Sequence, residues 1–273
     1  MSGVLNDMLK EIKQFKETKD LSIQESDVLT VYQYIQEKKA FLKDPHQPYE
    51  PVLLFNPTRV ELKPSKEYQD KLYQHEKLRN INREYHNDYL IEAYLKDFDA
   101  FNDERKEALQ KAQAFVDGFK ENRLVKGLYI YGQNRTGKTF LLSAIANELA
   151  QNDVKIVFAY MPDLIRNIHS GMNDNTLETK VRQLKECDLL IFDDLGSAVM
   201  SSWFRDQVFG SVIQYRLSVG LPVIISSNLN IPLLGKQLID NKIDNDRYNT
   251  TRIITRIVEL TEAVQLTEER YRK

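Results

Sequence analysis

The feature that most constrains this chain is the glycine-rich segment from Gly132 to Thr139, whose sequence GQNRTGKT fits the phosphate-binding pattern GxxxxGKT. It follows an apolar run, Gly127 to Tyr131, and precedes a helix-forming segment that begins at Lys138. A strand, a glycine loop and a helix in this order place backbone N–H groups and a helix N-terminus around a phosphate. This context predicts a nucleotide-binding domain and disfavours a glycine turn with a chance lysine.

The residues of this loop have separate expected roles. Lys138 is expected to reach the β and γ phosphates of ATP, and Thr139 is expected to offer its hydroxyl to Mg²⁺. Asn134 and Arg135 stand where many such loops have small residues, so the detailed shape of the loop is left open. We predict ATP and Mg²⁺ as cofactors and assign nucleotide binding to the whole loop: Gly132, Gln133, Asn134, Arg135, Thr136, Gly137, Lys138 and Thr139.

Polar side chains follow two more apolar runs, at residues 189–193 and 223–227. The first run ends in Asp193 and Asp194. We expect Asp193 to hold the hydration shell of Mg²⁺, and Asp194 to orient or deprotonate the attacking water. The second run is followed by Asn228, which is expected to hold the water or the γ phosphate. A role for Asn228 as a turn or helix cap is the alternative.

The apolar runs indicate the fold class. Runs at residues 127–131, 156–160, 189–193 and 223–227 are each separated by a segment of helix length. Unbroken apolar strands that alternate with helices predict an α/β domain with a parallel sheet covered on both faces, and with its ligand at the carboxyl ends of the strands.

The first hundred residues have a different pattern. Apolar residues at spacings of three and four predict an amphipathic helix near the start and a second helix that runs toward the prolines at 45, 48 and 51. Residues 52–55 are predicted as a short strand. We therefore predict a small, mainly helical N-terminal domain at 1–55, a connector at 56–101 and the ATPase domain at 102–273.

Composition excludes several classes of protein. With a single cysteine, Cys187, and four scattered histidines, the chain lacks the ligands of a cysteine-based zinc cluster. A net charge of −2 gives no global attraction to nucleic acid, so a DNA contact requires a local patch. No apolar run has the length of a membrane span or of a signal sequence, so we expect a cytoplasmic protein without a membrane partner.

Two arginines near the end of the chain are candidates for catalysis in an assembly. Arg252 and Arg256 lie four residues apart and so project from one face of a helix. A guanidinium that reaches a neighbouring subunit's nucleotide stabilises the charge of the transition state, as an arginine finger does. A pair of solvated surface arginines is the alternative.

Several segments together resemble the bacterial replicative-helicase loaders of the DnaI/DnaC type, over roughly residues 85–273. The GKT loop and FDDLG at 192–196 are common to AAA+ proteins, whereas SSWFRD at 201–206 and TRIITRI at 251–257 are more particular to loaders. IQYR at 213–216 and SSN at 226–228 also match. The resemblance implies an AAA+ P-loop ATPase core with a five-stranded parallel sheet and a minimal lid.

The resemblance also implies a function and partners. The expected activity is ATP hydrolysis stimulated by self-association on a hexameric replicative helicase of the DnaB/DnaC type. The loader would deliver that helicase onto single-stranded DNA during replication initiation or restart. By resemblance Arg256 is the finger, Arg270 or Arg272 is the second sensor, and Ser201 and Trp203 contact the DNA. Core packing is the alternative for Trp203.

One departure from the family affects the N-terminal region. Loaders of the DnaI kind usually carry a zinc-binding domain there, and this chain has no cysteine before Cys187. Binding of the helicase through residues 1–55 is therefore expected from the family position alone, and apolar helices must replace the metal as the source of stability.

Three other functions compete with the loader. One is a transposition-helper ATPase of the IstB kind, and another is a nucleotide-gated adaptor that binds the helicase without binding DNA. The third is a small-molecule P-loop kinase, which would need a closing lid. The chain after Asn228 is short and rich in arginine, which disfavours a kinase.

Overall fold

The computed structural model describes residues 2–77, 80–85, 90, 92–150, 154–172, 175–239 and 246–267. The chain divides into two compact units, residues 1–76 and residues 77–273. The boundary falls inside the segment that the sequence predicts as a connector. Among the described residues, no helix is long and apolar enough to span a bilayer.

The first unit contains helices and one hairpin. Helix α1 (Ser2–Gln14) packs on α2 (Val28–Lys43), and the antiparallel strands β1 (Tyr49–Leu54) and β2 (Arg59–Pro64) precede α3 (Lys66–Lys77). The hairpin corrects the expected single strand at 52–55. Its Leu53 and Val60 pack against a core built from the helices, which consists of Ile12, Val28, Val31, Tyr34 and Ile35. This apolar cluster supplies a core made without metal ligands.

The second unit is an α/β domain. Its strands are β3 (Ile81–Tyr85), β4 (Gly127–Tyr131), β5 (Ile156–Tyr160), β6 (Leu189–Leu195), β7 (Val223–Ser227) and β8 (Thr261–Gln265). They form one sheet in the order β3-β5-β6-β7-β4-β8, and every neighbouring pair is parallel. The expected sheet had five strands, and the described part of the chain has six.

Helices cover both faces of this sheet. Side chains alternate along each strand, so that Leu128 and Ile130 of β4 point to one face and Tyr129 points to the other. The first face packs against α4 (Asp103–Glu121) and α5 (Lys138–Ala150). The second packs against α6 (Met161–Gly171), α7 (Leu177–Glu186), a π-helical turn (Phe204–Phe209), α8 (Gly210–Val219), α9 (Ile231–Leu238) and α10 (Asp246–Leu260).

The chain after β7 agrees with the expected minimal lid. Among the described residues, α9 and α10 pack on the sheet through buried side chains such as Leu234 and Ile257. The following strand, β8, then returns to pair with β4 in register. The described part of this segment thus belongs to the core of the domain and does not form a separate lid.

A buried arginine secures the edge of the sheet where the strands begin. Arg216 of α8 is fully buried, and its Nη1 donates to the carbonyl oxygens of Leu184 (3.1 Å) and Cys187 (2.8 Å). Its Nη2 donates to the carbonyl of Pro222 (2.7 Å), just before β7. Burial lowers the pKa of this guanidinium from its ordinary value. The residue satisfies carbonyls at the end of α7 and joins them to the amino ends of β6 and β7.

Candidate nucleotide-binding site

The strand order brings the predicted site residues to one edge of the sheet. Strand β7 lies between β4 and β6. The glycine loop follows β4, Asn228 follows β7, and Asp193 and Asp194 end β6. Because all three strands are parallel, their carboxyl ends meet at the same edge, where α/β domains bind ligands. The expectation that Asn228 lies between the loop and the acidic pair therefore agrees with the topology.

The backbone of the loop requires glycine at its first position. Gly132 has φ +154°, and a Cβ atom there would lie 1.5 Å from the carbonyl oxygen of Leu266, just after β8. Gly137 also has a positive φ, +97°. Arg135 has φ +65°, a left-handed conformation that favours glycine, so an exposed arginine occupies a strained position.

The ammonium group of Lys138 is held at the base of the loop. Its Nζ donates to the carbonyl oxygens of Gly132 (2.9 Å) and Gln133 (2.7 Å) and to Oδ1 of Asn228 (2.8 Å). Burial lowers the pKa of this lysine from its ordinary value, and the carboxylates of Asp194 and Asp193 oppose that shift. The cation thus lies among acceptors at the point where the loop and β7 meet.

The oxygen atoms around Asp193 fit a magnesium ion. Its Oδ2 accepts a hydrogen bond from the Thr139 hydroxyl (2.9 Å), and its Oδ1 accepts one from the Ser226 hydroxyl. Mg²⁺ is bound in proteins by one or two carboxylates together with substrate phosphates and water. Thr139 and Asp193 would hold the ion, and the ion would neutralise charge on the phosphates.

Asp194 is connected to the end of the neighbouring strand β7. Its backbone N–H donates to Oγ of Ser226 (2.8 Å), and its Oδ1 accepts from Nδ2 of Asn228 (3.0 Å). Its φ of +60° is left-handed, a region that aspartate tolerates better than most residues. Burial raises the pKa of the Asp194 carboxyl above its ordinary value, and the adjacent charge of Asp193 raises it further. A raised pKa makes this carboxylate a better proton acceptor.

These side chains line one cavity of about 410 Å³. Sequence reasoning missed four of the lining residues. Tyr160 ends β5, so the rule that ligands bind at the carboxyl ends of strands could have found it. Ser226 precedes Asn228 in a segment that the resemblance already included, whereas Leu90 and Phe140 carry no chemical signal. The lining consists of Leu90, Asn134, Arg135, Gly137, Lys138, Thr139, Phe140, Tyr160, Asp193, Asp194, Ser226 and Asn228.

The two candidate finger arginines lie at a different place. Arg252 and Arg256 of α10 line a second cleft of about 360 Å³, together with residues of the π-helical turn and α8 such as Asp206 and Gln214. This cleft shares no lining residue with the nucleotide cavity. Burial, together with the charge of Arg252, lowers the pKa of Arg256 from its ordinary value. The structure therefore does not bring Arg256 to the nucleotide cavity of its own chain.

The predicted DNA-contact residues lie just before the π-helical turn. The hydroxyl of Ser201 accepts from the backbone N–H of Phe204 (3.2 Å), as an N-cap does. Trp203 is half-buried against the second core face, and its ring centroid lies 5.6 Å from that of the exposed His169. The packing supports a structural role for Trp203 and leaves part of its ring accessible. Arg270 and Arg272, the predicted second sensors, lie outside the described residues.

The comparison with known proteins agrees with a nucleotide-binding cavity at this place. A family model described as IstB-like ATP binding protein matches residues 65–273, which include every element of the cavity. The chain belongs to the IstB-like ATP binding protein family. ATP binding is thus a property of its family, as the loop predicts.

Helicase loaders are among the proteins that this chain resembles. The replicative helicase loader DnaI of Bacillus subtilis (strain 168) is 29% identical over 276 residues, which cover 96% of this chain and 88% of that protein. A crystal structure of DnaI is 36% identical with a TM-score of 0.59, covering 64% of this chain and 92% of that one. A crystal structure of the DnaC helicase loader, 22% identical with a TM-score of 0.53, covers 64% of this chain and 96% of that one. The resemblance to DnaI/DnaC-type proteins and the AAA+ α/β fold are confirmed.

The raised pKa of Asp194 predicts an effect on stability. A carboxyl whose pKa is raised by folding stabilises the folded state while protonated, and this contribution is lost as pH rises through the folded-state pKa. Ionised Asp194 therefore opposes folding near neutral pH. We expect Asp194→Asn to raise the melting temperature near neutral pH, and the difference to shrink as pH falls toward about 4, the ordinary pKa of aspartate. Thermal unfolding without added nucleotide, followed by circular dichroism, measures both.

Asp70→Asn is the matched control, since Asp70 is exposed on α3. It removes the same charge without burial and should leave the melting temperature unchanged. Equal shifts in the two variants, or a lower melting temperature in Asp194→Asn, would contradict the electrostatic account.

Proposed function

We propose that this protein is an ATP-dependent loader that binds a replicative hexameric helicase and delivers it onto single-stranded DNA. The observation that carries the proposal is the similarity to a replicative helicase loader over 96% of the chain, which includes the first unit as well as the nucleotide domain. The cavity supports it, because loop, acidic pair and polar residue converge there as phosphoryl transfer requires.

Hydrolysis of ATP is assigned to side chains of the cavity. Asp194 accepts the proton of the attacking water or orients that water, since its carboxylate is half-buried and its pKa is raised. Asn228 contacts both Asp194 and Lys138, so it can align the water with the γ phosphate. Lys138 neutralises phosphate charge. Each of these groups is already held by hydrogen bonds, which lowers the reorganisation needed in the transition state.

Turnover is proposed to depend on self-association. Arg256 lines a cleft separate from the cavity of its own chain. An arginine that stabilises the transition state must then enter the cavity of a neighbouring subunit, as an arginine finger supplied in trans does. Assembly on the helicase would bring the two surfaces together, so hydrolysis follows assembly.

Helicase binding is assigned to the first unit, which includes the predicted helicase-binding segment 1–55. Its hairpin and helices form a compact unit with their own apolar core. Apolar side chains such as Leu29, Leu42 and Leu62 remain exposed on it. Exposed apolar groups on a small unit suit a protein partner better than a small-molecule substrate.

Binding of single-stranded DNA is assigned to the surface at Ser201 and Trp203. Bases stack on aromatic rings without sequence preference, which suits a loader that acts at many sites. The chain as a whole carries a net charge of −2, so the contact must be local. If Trp203 serves the core alone, the protein is the nucleotide-gated adaptor that binds the helicase without DNA.

A transposition helper remains the second candidate, because the matching family is described as IstB-like. Such a helper would bind a transposase in place of a helicase. The similarity to DnaI over 96% of this chain favours the loader, since it extends through the first unit.

The proposed partner is tested by capture of purified proteins. We expect the full chain to retain a hexameric replicative helicase from the same organism, and a chain lacking residues 1–76 to lose it while still binding ATP. The expected loss follows from the assignment of the helicase to the first unit. Retention on an affinity resin, with and without ATP, measures the complex.

Lys138→Ala serves as the control in this capture experiment, because it removes nucleotide contact and leaves the first unit unchanged. Capture by the truncated chain would refute the assignment of the first unit. Failure of the full chain to retain any replicative helicase, together with capture of a transposase, would replace the loader with the transposition helper.

The composite site predicts complementation between two inactive variants. Arg256→Ala should bind ATP like the wild type, yet lose about a thousandfold or more of its assembly-stimulated turnover. Lys138→Ala should lose nucleotide binding. A mixture of the two should regain activity, because the second chain supplies Arg256 to the intact cavity of the first. Phosphate release in the presence of helicase measures turnover.

Arg252→Ala, four residues earlier on the same helix, is the matched control for Arg256. If Arg252→Ala alone causes the loss, the finger is Arg252. No recovery in the mixture would mean that Arg256 acts within its own chain.

A DNA contact at Trp203 predicts different losses of DNA affinity for two substitutions. Trp203→Phe keeps a ring for stacking, whereas Trp203→Leu keeps apolar volume without one. We expect Trp203→Leu to weaken binding of a fluorescent single-stranded oligonucleotide by about 1–3 kcal/mol, and Trp203→Phe to retain most of it. Equal affinity in both variants, with a lowered melting temperature, would assign Trp203 to the core.

A further inference from the structure

Arg105 of α4 is a buried cation next to the nucleotide site. Only 1% of the residue is exposed. It lies in the first turn of the helix, where its backbone N–H donates to the capping side chain of Asn102 (2.8 Å). A buried charge is costly unless polar groups surround it. The position of this guanidinium therefore indicates a specific role.

The phosphate-binding loop lies directly against this guanidinium. Nη1 of Arg105 donates to the carbonyl oxygen of Thr136, a residue with no exposed surface. A Cβ atom built on Gly137 would lie 3.4 Å from Nη2 of Arg105. Thr136 and Gly137 immediately precede Lys138 and Thr139, the residues that are assigned to the phosphates and to Mg²⁺. The arginine thus contacts the loop at Thr136 and Gly137, directly before Lys138.

The same guanidinium is fixed on its other side by the chain just before α4. Its Nε donates to the carbonyl oxygen of Asp99. Its Cζ lies 4.4 Å from the ring centroid of Phe98 and 5.0 Å from that of Phe101. Arginine is suited to this arrangement, because its planar group stacks on rings while its N–H groups donate in the plane.

This preceding segment also borders the nucleotide cavity. The ring of Phe98 lies 6.2 Å from that of Phe140, which lines the cavity. Asn147 of α5 donates from Nδ2 to the carbonyl oxygens of Leu90 (3.1 Å) and Ala93 (2.8 Å), and Leu90 lines the cavity as well. Arg105 therefore contacts both the loop and the segment that precedes α4.

We propose that Arg105 is a positioning residue for nucleotide binding, which holds the phosphate-binding loop and the segment at 92–101 in their binding geometry. It acts through the carbonyl of Thr136 and does not contact the nucleotide. The proposal rests on ATP binding at this cavity and is independent of the helicase and of DNA. It predicts that the affinity for ATP depends on a residue outside the recognised loop.

Arg216 provides a matched comparison. It is also fully buried and also donates to backbone carbonyls, those of Leu184, Cys187 and Pro222. These carbonyls lie at the edge of the sheet where β6 and β7 begin, opposite the cavity. Loss of either arginine should lower the melting temperature, but only loss of Arg105 should alter nucleotide binding.

The test measures ATP and ADP affinity of the full chain by calorimetric titration, at a temperature where circular dichroism shows every variant to be folded. We expect Arg105→Met to weaken both nucleotides by about tenfold or more, since a charge-assisted hydrogen bond to the loop is lost. Arg216→Met should retain wild-type affinity. Arg105→Lys should fall between, because one ammonium group can still donate to Thr136.

Each outcome decides the proposal. Wild-type affinity in Arg105→Met, or an equal loss in Arg105→Met and Arg216→Met, would overturn it. If Arg105→Met does not fold, Arg105→Lys carries the test, and its KM for ATP must rise while kcat stays near the wild-type value. A wild-type chain that binds no ATP would instead refute the proposed function.

Discussion

The buried carboxylate of Asp193 is the interaction on which the candidate site depends. Only 3% of the residue is exposed, and its two oxygens accept from the hydroxyls of Thr139 and Ser226. A buried carboxylate is tolerated when hydrogen bonds replace its water. Since the three residues come from α5, β6 and β7, this group fixes the helix after the loop relative to two strands. Asp194 follows directly and its backbone N–H donates to the hydroxyl of the same Ser226, so the position of the carboxylate that is proposed to act in hydrolysis depends on this anchor.

Burial and the attraction between opposite charges shift the pKa values of the site in opposite directions. Burial lowers the pKa of Lys138 and raises that of Asp194, so the folded chain disfavours both ions, while their mutual attraction opposes each shift. A nucleotide phosphate changes this balance, because its negative charge favours the lysine cation and raises the pKa of the carboxyl further. The same ligand would therefore strengthen the cation that neutralises it and make Asp194 a stronger base. Such a site opposes folding and favours function, as active sites commonly do.

The sequence predicted the parts of the site that lie within single motifs. Loop, acidic pair and Asn228 each follow an apolar run, and parallel pairing then requires them to meet. The sequence did not predict contacts that depend on distant chain segments. The close approach of Leu266 to Gly132 arises because β8 pairs beside β4, and no local pattern indicates that pairing. Strands β3 and β8 were missed because neither has the unbroken apolar run of a central strand. Strand β3 contains Asn82, Arg83 and Glu84, and two of the exposed positions of β8 hold charged or polar residues. Arg105 was missed because a charged residue in a helix is usually solvated.

The positions of the arginines separate two properties of the protein. The loop is formed within one chain, where Arg105, Lys138 and the carbonyls between them lie in a continuous set of contacts. Affinity for nucleotide can therefore be set by a single chain. Arg256 lies in another cleft, so the proposed arginine finger would have to come from a second chain. In the proposed mechanism one chain completes binding and two chains are needed for hydrolysis, so the nucleotide would act as a signal of assembly that a chain retains until a neighbour arrives.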